Sequence, residues 1–146
     1  MFLPILLLIL KLFTVYGTKL GDSFDTFTIK HQFVDCYLES NTQEICEGKT
    51  KYERLPAWMR AEFENEKLNY LSYSIDADRK TADTFVEEFS KLYGPPRDTF
   101  DYANSSATVK IWEGDGYLKV EFSPREGNDL GHDNITISIS TKRDTY

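Results

Sequence analysis

The chain has two histidines, His31 and His132, and His132 stands in a loop between two carboxylates, Asp129 and Asp133. An imidazole beside a carboxylate is how a general base is oriented for proton transfer. Hydrolysis by that route also needs an activated hydroxyl, and no nucleophile-elbow pattern presents a serine to either histidine. The same trio could be offered to a metal ion. Three such side chains in one flexible loop are read instead as a solvated loop, so no metal site is expected. Asp76 and Asp78 begin like a calcium loop, but Arg79 and Lys80 stand where a third oxygen ligand and a glycine should follow. Those two aspartates are read as helix-capping residues. The segment E-G-D-G is too short to cradle a phosphate and reads as a hairpin turn. No cofactor is expected, and the chain is read as non-catalytic.

The other reactive side chains are the two cysteines, Cys36 and Cys46. Neither has a histidine or basic neighbour that would hold it as a thiolate. Their expected role depends on compartment. The apolar run 2–10 has the length of a secretory core and is too short to cross a bilayer, which needs ~20 residues. Val15 and Gly17 put small residues at the third and first positions before a cut, so residues 1–17 are expected to be a signal peptide and 18–146 a single domain. An uncleaved anchor is the alternative, because Lys11 interrupts the run and no other basic residue precedes it. In a secreted or periplasmic protein, Cys36 and Cys46 are expected to form a disulfide.

Losing Lys11 takes the formal charge from −7 to −8. An acidic domain without a basic stripe is a poor partner for nucleic acid or anionic lipid, and no membrane contact is expected after cleavage. The triplets Asn104-Ser105-Ser106 and Asn134-Ile135-Thr136 fit the N-glycosylation pattern, which has meaning on a eukaryotic secretory route.

The element that must position these residues runs from Asp78 to Pro96. Ala82, Phe85, Val86, Phe89, Leu92 and Tyr93 form one apolar stripe, with charged residues opposite. Asp78 or Thr81 can cap the start, and Gly94, Pro95 and Pro96 end the helix. A short helix is expected to start near Asp22 or Ser23. Residues 32–38 read as a strand, followed by a turn that returns Cys46 towards Cys36. Residues 48–56 and 97–106 read as loops. Residues 55–67 permit a helix, but Met59, Ala61 and Phe63 alternate with Arg60 and Glu62, so a hairpin of 58–63 with 68–75 is preferred. Near the C-terminus, a four-residue E-G-D-G turn would pair Ile111 with Leu118 and Val109 with Val120 on the inner face. Trp112 and Tyr117 would then face outward, and Lys110 would oppose Lys119. Ile135, Ile137 and Ile139 mark a last strand. The expected fold is α+β: an antiparallel β-sheet of about five to seven strands with one main amphipathic helix, about residues 79–93, packed on one face.

The run F-S-K-L-Y-G-P-P, with the strand L-N-Y-L-S-Y-S-I before it and a tryptophan-containing strand after it, resembles a pattern in small exported bacterial proteins of unassigned function. Those proteins have a helix ending in a Tyr-Gly-x-Pro-like motif and often a nearby cysteine pair. The similarity covers roughly residues 57–122. It implies an extracytoplasmic α+β module and carries over no catalytic residue. The chain departs from the pattern in lacking a strongly positive n-region.

These readings lead to a secreted or periplasmic non-catalytic module that binds a protein partner, as an inhibitor or envelope accessory. Carbohydrate binding is the alternative, using the outward aromatics Trp112 and Tyr117, with Tyr70 joining them if the hairpin register allows. A small hydrolase built on His132 with Asp129 or Asp133 ranks third.

Overall fold

The computed structural model describes residues 12–102 and 106–142. The apolar run 2–10, Lys11 and the triplet at Asn104 lie outside them. The chain opens with a small hairpin of β1 (Thr14–Val15) and β2 (Thr18–Lys19), followed by α1 (Phe24–Lys30). Four strands come next: β3 (Asp35–Leu38), β4 (Gln43–Tyr52), β5 (Leu55–Glu64) and β6 (Lys67–Ile75). The main helix α2 (Arg79–Tyr93) leads to four more: β7 (Asp98–Tyr102), β8 (Ala107–Glu113), β9 (Tyr117–Ser123) and β10 (Asn134–Ser140).

Strands β3 to β10 form one eight-stranded sheet in the order β3-β4-β5-β6-β10-β9-β8-β7. Every neighbouring pair is antiparallel. Two four-stranded meanders thus meet through their last strands, and each is preceded by a helix. The arrangement repeats although the sequence does not.

The expected α+β layer is present, with more elements than the sequence signals announced. Residues 48–56 are the end of β4, a turn and the start of β5, where a loop was expected. Residues 98–102 are β7, also expected as loop. The hairpin of 58–63 with 68–75 is present, and its turn shares its geometry with the turn that was missed. Glu53 and Arg54 (φ 48° and 70°) and Asn65 and Glu66 (φ 51° and 67°) both take left-handed backbone. That is the geometry of two-residue type I′ hairpins, usually marked by Asn-Gly or Asp-Gly. Neither pair here contains glycine, and at Glu53-Arg54 the strands therefore seemed to end where they in fact reverse.

Alternation assigns one face of the sheet to the core. Met59, Ala61 and Phe63 of β5, Leu71, Tyr73 and Ile75 of β6, Ile135, Ile137 and Ile139 of β10, and Leu118, Val120 and Phe122 of β9 are all buried on it. Helix α2 lies across this face. Asp78 caps it, accepting from the Thr81 amide at 3.0 Å, and Gly94 (φ 84°) closes it by donating to the Ser90 carbonyl at 2.9 Å. Phe85 meets Tyr52 edge-on at 5.2 Å, Phe89 meets Trp112 at 5.9 Å, and the Arg79 guanidinium sits 4.8 Å from the Phe122 ring centroid. Leu92, placed on the apolar stripe by its spacing, is exposed. The last turn rests instead on Tyr93, whose ring meets Phe13 at 4.9 Å. Helix α1 packs on the same face, with Phe27 5.0 Å from Phe63. At the β3 edge, Cys36 and Cys46 are directly opposed and joined by a disulfide.

The segment ahead of α1 is a strap over the same core. Phe13 and Val15 are buried, and Thr18 is fully so. The Phe13 amide donates to Asp115 and the Thr14 amide to the Tyr93 hydroxyl, both at 3.3 Å. The Tyr16 ring lies edge-on to Tyr52 at 4.9 Å, and its hydroxyl accepts from the Glu53 amide. A cut after Gly17 would fall in the β1–β2 turn and remove two core side chains. Fully burying a Phe and a Val contributes about 3–6 kcal/mol together. A chain beginning at Thr18 is therefore expected to unfold at a clearly lower urea concentration than one beginning at Leu12, by an amount equivalent to ~3–6 kcal/mol. Equal midpoints for the two would show the strap to be dispensable.

His31 belongs to this core. It is nearly buried, its Nε2 lies 3.0 Å from the Thr18 hydroxyl, and its ring rests on Phe27 at 4.4 Å. Burial lowers its pKa, with the neighbouring Lys30 adding to the effect. The folded state thus prefers the neutral ring more strongly than the unfolded state does. Its contribution to stability is intact above the ordinary histidine pKa of about 6.5 and is lost as pH falls below it. Urea midpoints measured from pH 7.5 to 5 should fall more steeply for the wild type than for His31→Phe. Parallel profiles would exclude the effect.

Candidate functional site

The two helices and the strap occupy one face of the sheet. The other face carries neither described helix, and the strand registers fix what it presents. One rung reads Lys49, Trp58, Ser74, Thr136, Glu121 across β4, β5, β6, β10 and β9. The next reads Glu47, Arg60, Ser72, Ser138, Lys119, and the third Ile45, Glu62, Tyr70, Ser140, Tyr117. In the first two rungs the central strands β6 and β10 carry only small hydroxyl side chains, while β5 and β9 carry long ones. The result is a trough floored by Ser72, Ser74, Thr136 and Ser138. Its walls stand three strand spacings apart, about 14 Å. Ser72 and Ser138 are 5 % and 4 % exposed although neither described helix covers them, because the taller neighbours shield them.

A serine or threonine hydroxyl both donates and accepts, so the floor suits a ligand rich in polar groups. On one wall Arg60 is fixed by ion pairs to Glu47 and, at 3.2 Å, to Glu62. At the far end Tyr70 and Tyr117 stand on either side of Ser140. Tyr70 reaches this face by simple alternation with Ser72 and Ser74, and a register shift in the β5–β6 pairing lies just before it. The shift leaves Leu68 and Leu71 both buried, with Tyr70 between them pointing out. Tyr70 and Tyr117 therefore lie on the same face, with β10 between their strands.

Trp112 is not with them. It is fully buried on the opposite face, and its indole Nε1 donates to the Gly94 carbonyl at 2.8 Å. The expected outward Trp112–Tyr117 pair is wrong by one residue of register. The hairpin turn holds three residues, Gly114, Asp115 and Gly116, so Glu113 pairs with Tyr117 and Trp112 with Leu118. A one-residue slip exchanges the faces of every side chain on β8 relative to β9. It also sets Lys119 opposite Ile111 and Lys110 opposite Val120, which removes the expected clash of two lysines. Gly116 is required for the tight turn: a Cβ there would lie 2.4 Å from the Ser140 carbonyl oxygen and 2.5 Å from Leu20.

The open end of the trough widens into a cleft of about 550 Å³. Trp58, 45 % exposed, forms one wall and Leu130, 56 % exposed, another. Pro56 and Lys49 extend the Trp58 side; Ser74 and Asn134 lie at the base, and Asp76 and His132 complete the rim. His132 accordingly reaches a site, but with a carboxylate other than those beside it in sequence. Its Nδ1 lies 2.9 Å from the Asp133 carbonyl and 3.4 Å from Asp76 Oδ1. The Asp133 carboxylate instead accepts from the Arg125 amide at 2.7 Å. Ser74 lines the same cleft, yet among the described residues no hydrogen bond joins it to His132. Among the described residues no group of three or more His, Cys, Asp or Glu side chains converges as a metal site.

Protein families, curated proteins and solved structures offer no match to this chain. The chemistry of the face must be judged from its own residues.

Trp58 is the residue that sequence reading passed over. The signal was present: if Met59, Ala61 and Phe63 point inward, Trp58, Arg60 and Glu62 must point outward. The two tryptophans therefore have opposite roles. Trp112→Ala is expected to destabilise the fold by about 3–5 kcal/mol, whereas Trp58→Ala should shift the urea midpoint by less than about 1 kcal/mol. Comparable losses for both would mean that Trp58 is a packing residue and not part of an open surface.

Proposed function

We propose that the protein is a non-catalytic, extracytoplasmic module that binds a partner protein through the uncovered face of its sheet. One observation carries this reading: a half-exposed tryptophan lines a cleft with Leu130, at the end of a trough floored by hydroxyls and walled by charged side chains. Tryptophan in a pocket is the residue type most enriched among interface hot spots, and the surrounding polar groups supply a rim that excludes water. The disulfide fits an oxidising compartment, and no described helix is long and apolar enough to cross a membrane. The chain's negative charge favours partners that are neutral or basic on the contacting side.

A second reading, carbohydrate binding, is favoured by a different feature. The Ser72, Ser74, Thr136 and Ser138 floor between Trp58 and the Tyr70–Tyr117 pair offers both hydroxyl hydrogen bonding and aromatic stacking along one track. It keeps Tyr70 and Tyr117 as ligand contacts and substitutes Trp58 for Trp112.

The two readings separate experimentally. A photo-crosslinker at position 130, on the cleft rim, should capture a discrete protein adduct from the fluid of the protein's own compartment. A crosslinker at Glu87 on α2 should not. Trp58→Ala should weaken the adduct at least 30-fold, as removal of a hot spot worth ~2 kcal/mol does. Equal labelling at both positions, or an adduct insensitive to Trp58→Ala, overturns the protein-partner reading. A saturable change in Trp58 fluorescence on a glycan panel, with no protein adduct, would establish the second reading in its place.

A further inference from the structure

We infer that Asn134 is an N-glycan attachment site and that the first sugars of the glycan lie in the Trp58 cleft. The triplet Asn134-Ile135-Thr136 opens β10, and strand alternation sends its middle residue the other way from its two ends. Ile135 is fully buried in the core. Asn134 and Thr136 share the uncovered face, where the Asn134 amide Nδ2 donates to the Thr136 hydroxyl at 3.2 Å. The acceptor nitrogen and the hydroxyl of the triplet are thus side by side on a face that neither described α-helix occupies. A sequon placed on the core face by the same alternation could not carry a sugar in the folded protein.

The second observation is independent of the triplet. Asn134 lies at the base of a cleft of about 550 Å³, a size that houses small ligands. Trp58 flanks it, offering an aromatic surface to the C–H face of a pyranose, and Ser74, Asp76 and His132 offer partners for its hydroxyl and acetamido groups. A glycan leaving Asn134 enters this space first. The transfer itself uses a lipid-linked oligosaccharide as co-reactant and precedes folding. The Asn134 amide nitrogen bonds to the anomeric carbon of the first N-acetylglucosamine and gives up one proton. The bond from that carbon to the lipid pyrophosphate breaks, and the pyrophosphate leaves with the electron pair.

The inference bears on the function proposed above because it concerns the same cleft: a glycan there would compete with a partner, and occupancy at Asn134 would set how much of the protein has the cleft open. Its test needs no partner, so the two can fail separately. The full chain is secreted from a eukaryotic host as Asn104→Gln, which removes the other triplet, and as Asn104→Gln with Thr136→Ala, which also removes this one while keeping Asn134. Intact mass should show one glycan on the first protein, released by an N-glycan amidase with conversion of Asn134 to Asp, and none on the second. Quenching of tryptophan emission by acrylamide should rise at least twofold when the glycan is released. The rise should vanish in a Trp58→Phe version, which leaves only the buried Trp112. Secretion of the Asn104→Gln protein without a glycan overturns the attachment site. A glycan whose removal leaves quenching unchanged overturns its place in the cleft.

Discussion

The pairing of β6 with β10 is the constraint on which the rest of the structure depends. Among the described residues it is the strand pairing that joins the two helix-plus-meander halves of the sheet. It holds because Leu71, Tyr73 and Ile75 meet Ile139, Ile137 and Ile135 in register on one face. β-branched residues fill a pleated surface well, and a slip of one residue would send this whole apolar set to the wrong side. The same alternation dictates the other face. Ser72 and Ser74 must stand opposite Ser138 and Thr136, and the lowest part of the uncovered surface therefore falls on the seam. Core and trough are two consequences of one pairing.

The covered face needs three contributors, and their order in the chain explains its shape. Helix α2 brings Ala82, Phe85 and Phe89, α1 brings Phe27, and the strap brings Phe13 and Val15. Tyr52 and Tyr73 lie where they converge, ringed by Tyr16 and Phe85. Burial pushes both phenols well above the ordinary tyrosine range, so they act as packing groups at any physiological pH. The strap matters beyond its length because Asp115 in the β8–β9 turn accepts the Phe13 amide while Gly116 admits Leu20. The turn that orients Trp112 is thus gripped by residues about a hundred positions away in sequence.

That long-range grip is why the sequence was legible in some places and not others. Signals confined to one element were readable: the stripe and caps of α2, the alternation of β10, and the opposed cysteines. The turn at Asn65-Glu66 was readable from the polar break between two alternating runs, but the one at Glu53-Arg54 was not, because its left-handed geometry is imposed by strands on both sides and not by glycine. The β8–β9 register was misread for a similar reason. Four residues of turn chemistry are visible in E-G-D-G, but contacts from the strap and β10 decide that three are used. The site inherited that error, since moving Trp112 inward removed the expected anchor. Its replacement, Trp58, needed only the inward assignment of Met59, Ala61 and Phe63. What could not be read was the cleft itself, because Leu130 and His132 arrive from a loop whose path follows no periodic pattern.

The edges of the sheet bear on how the molecule meets others. β3 has four residues, all exposed, and is held to β4 by the disulfide; β7 has five, two of them aspartates. Short, charged or tethered edge strands discourage a foreign strand from extending a sheet. Strand addition is disfavoured at both ends, and helices and strap fill one face, which leaves the other face without a described α-helix. Its polar floor limits the apolar surface on that face, where the exposed large hydrophobic side chains are Trp58 and Leu130 at one end and Tyr37 towards the β3 edge. A wholly apolar face of this size would invite self-association. Small hydroxyls along the seam avoid it and still leave room for a ligand to lie across both halves of the molecule, where its contacts would reinforce the β6–β10 pairing that formed the trough.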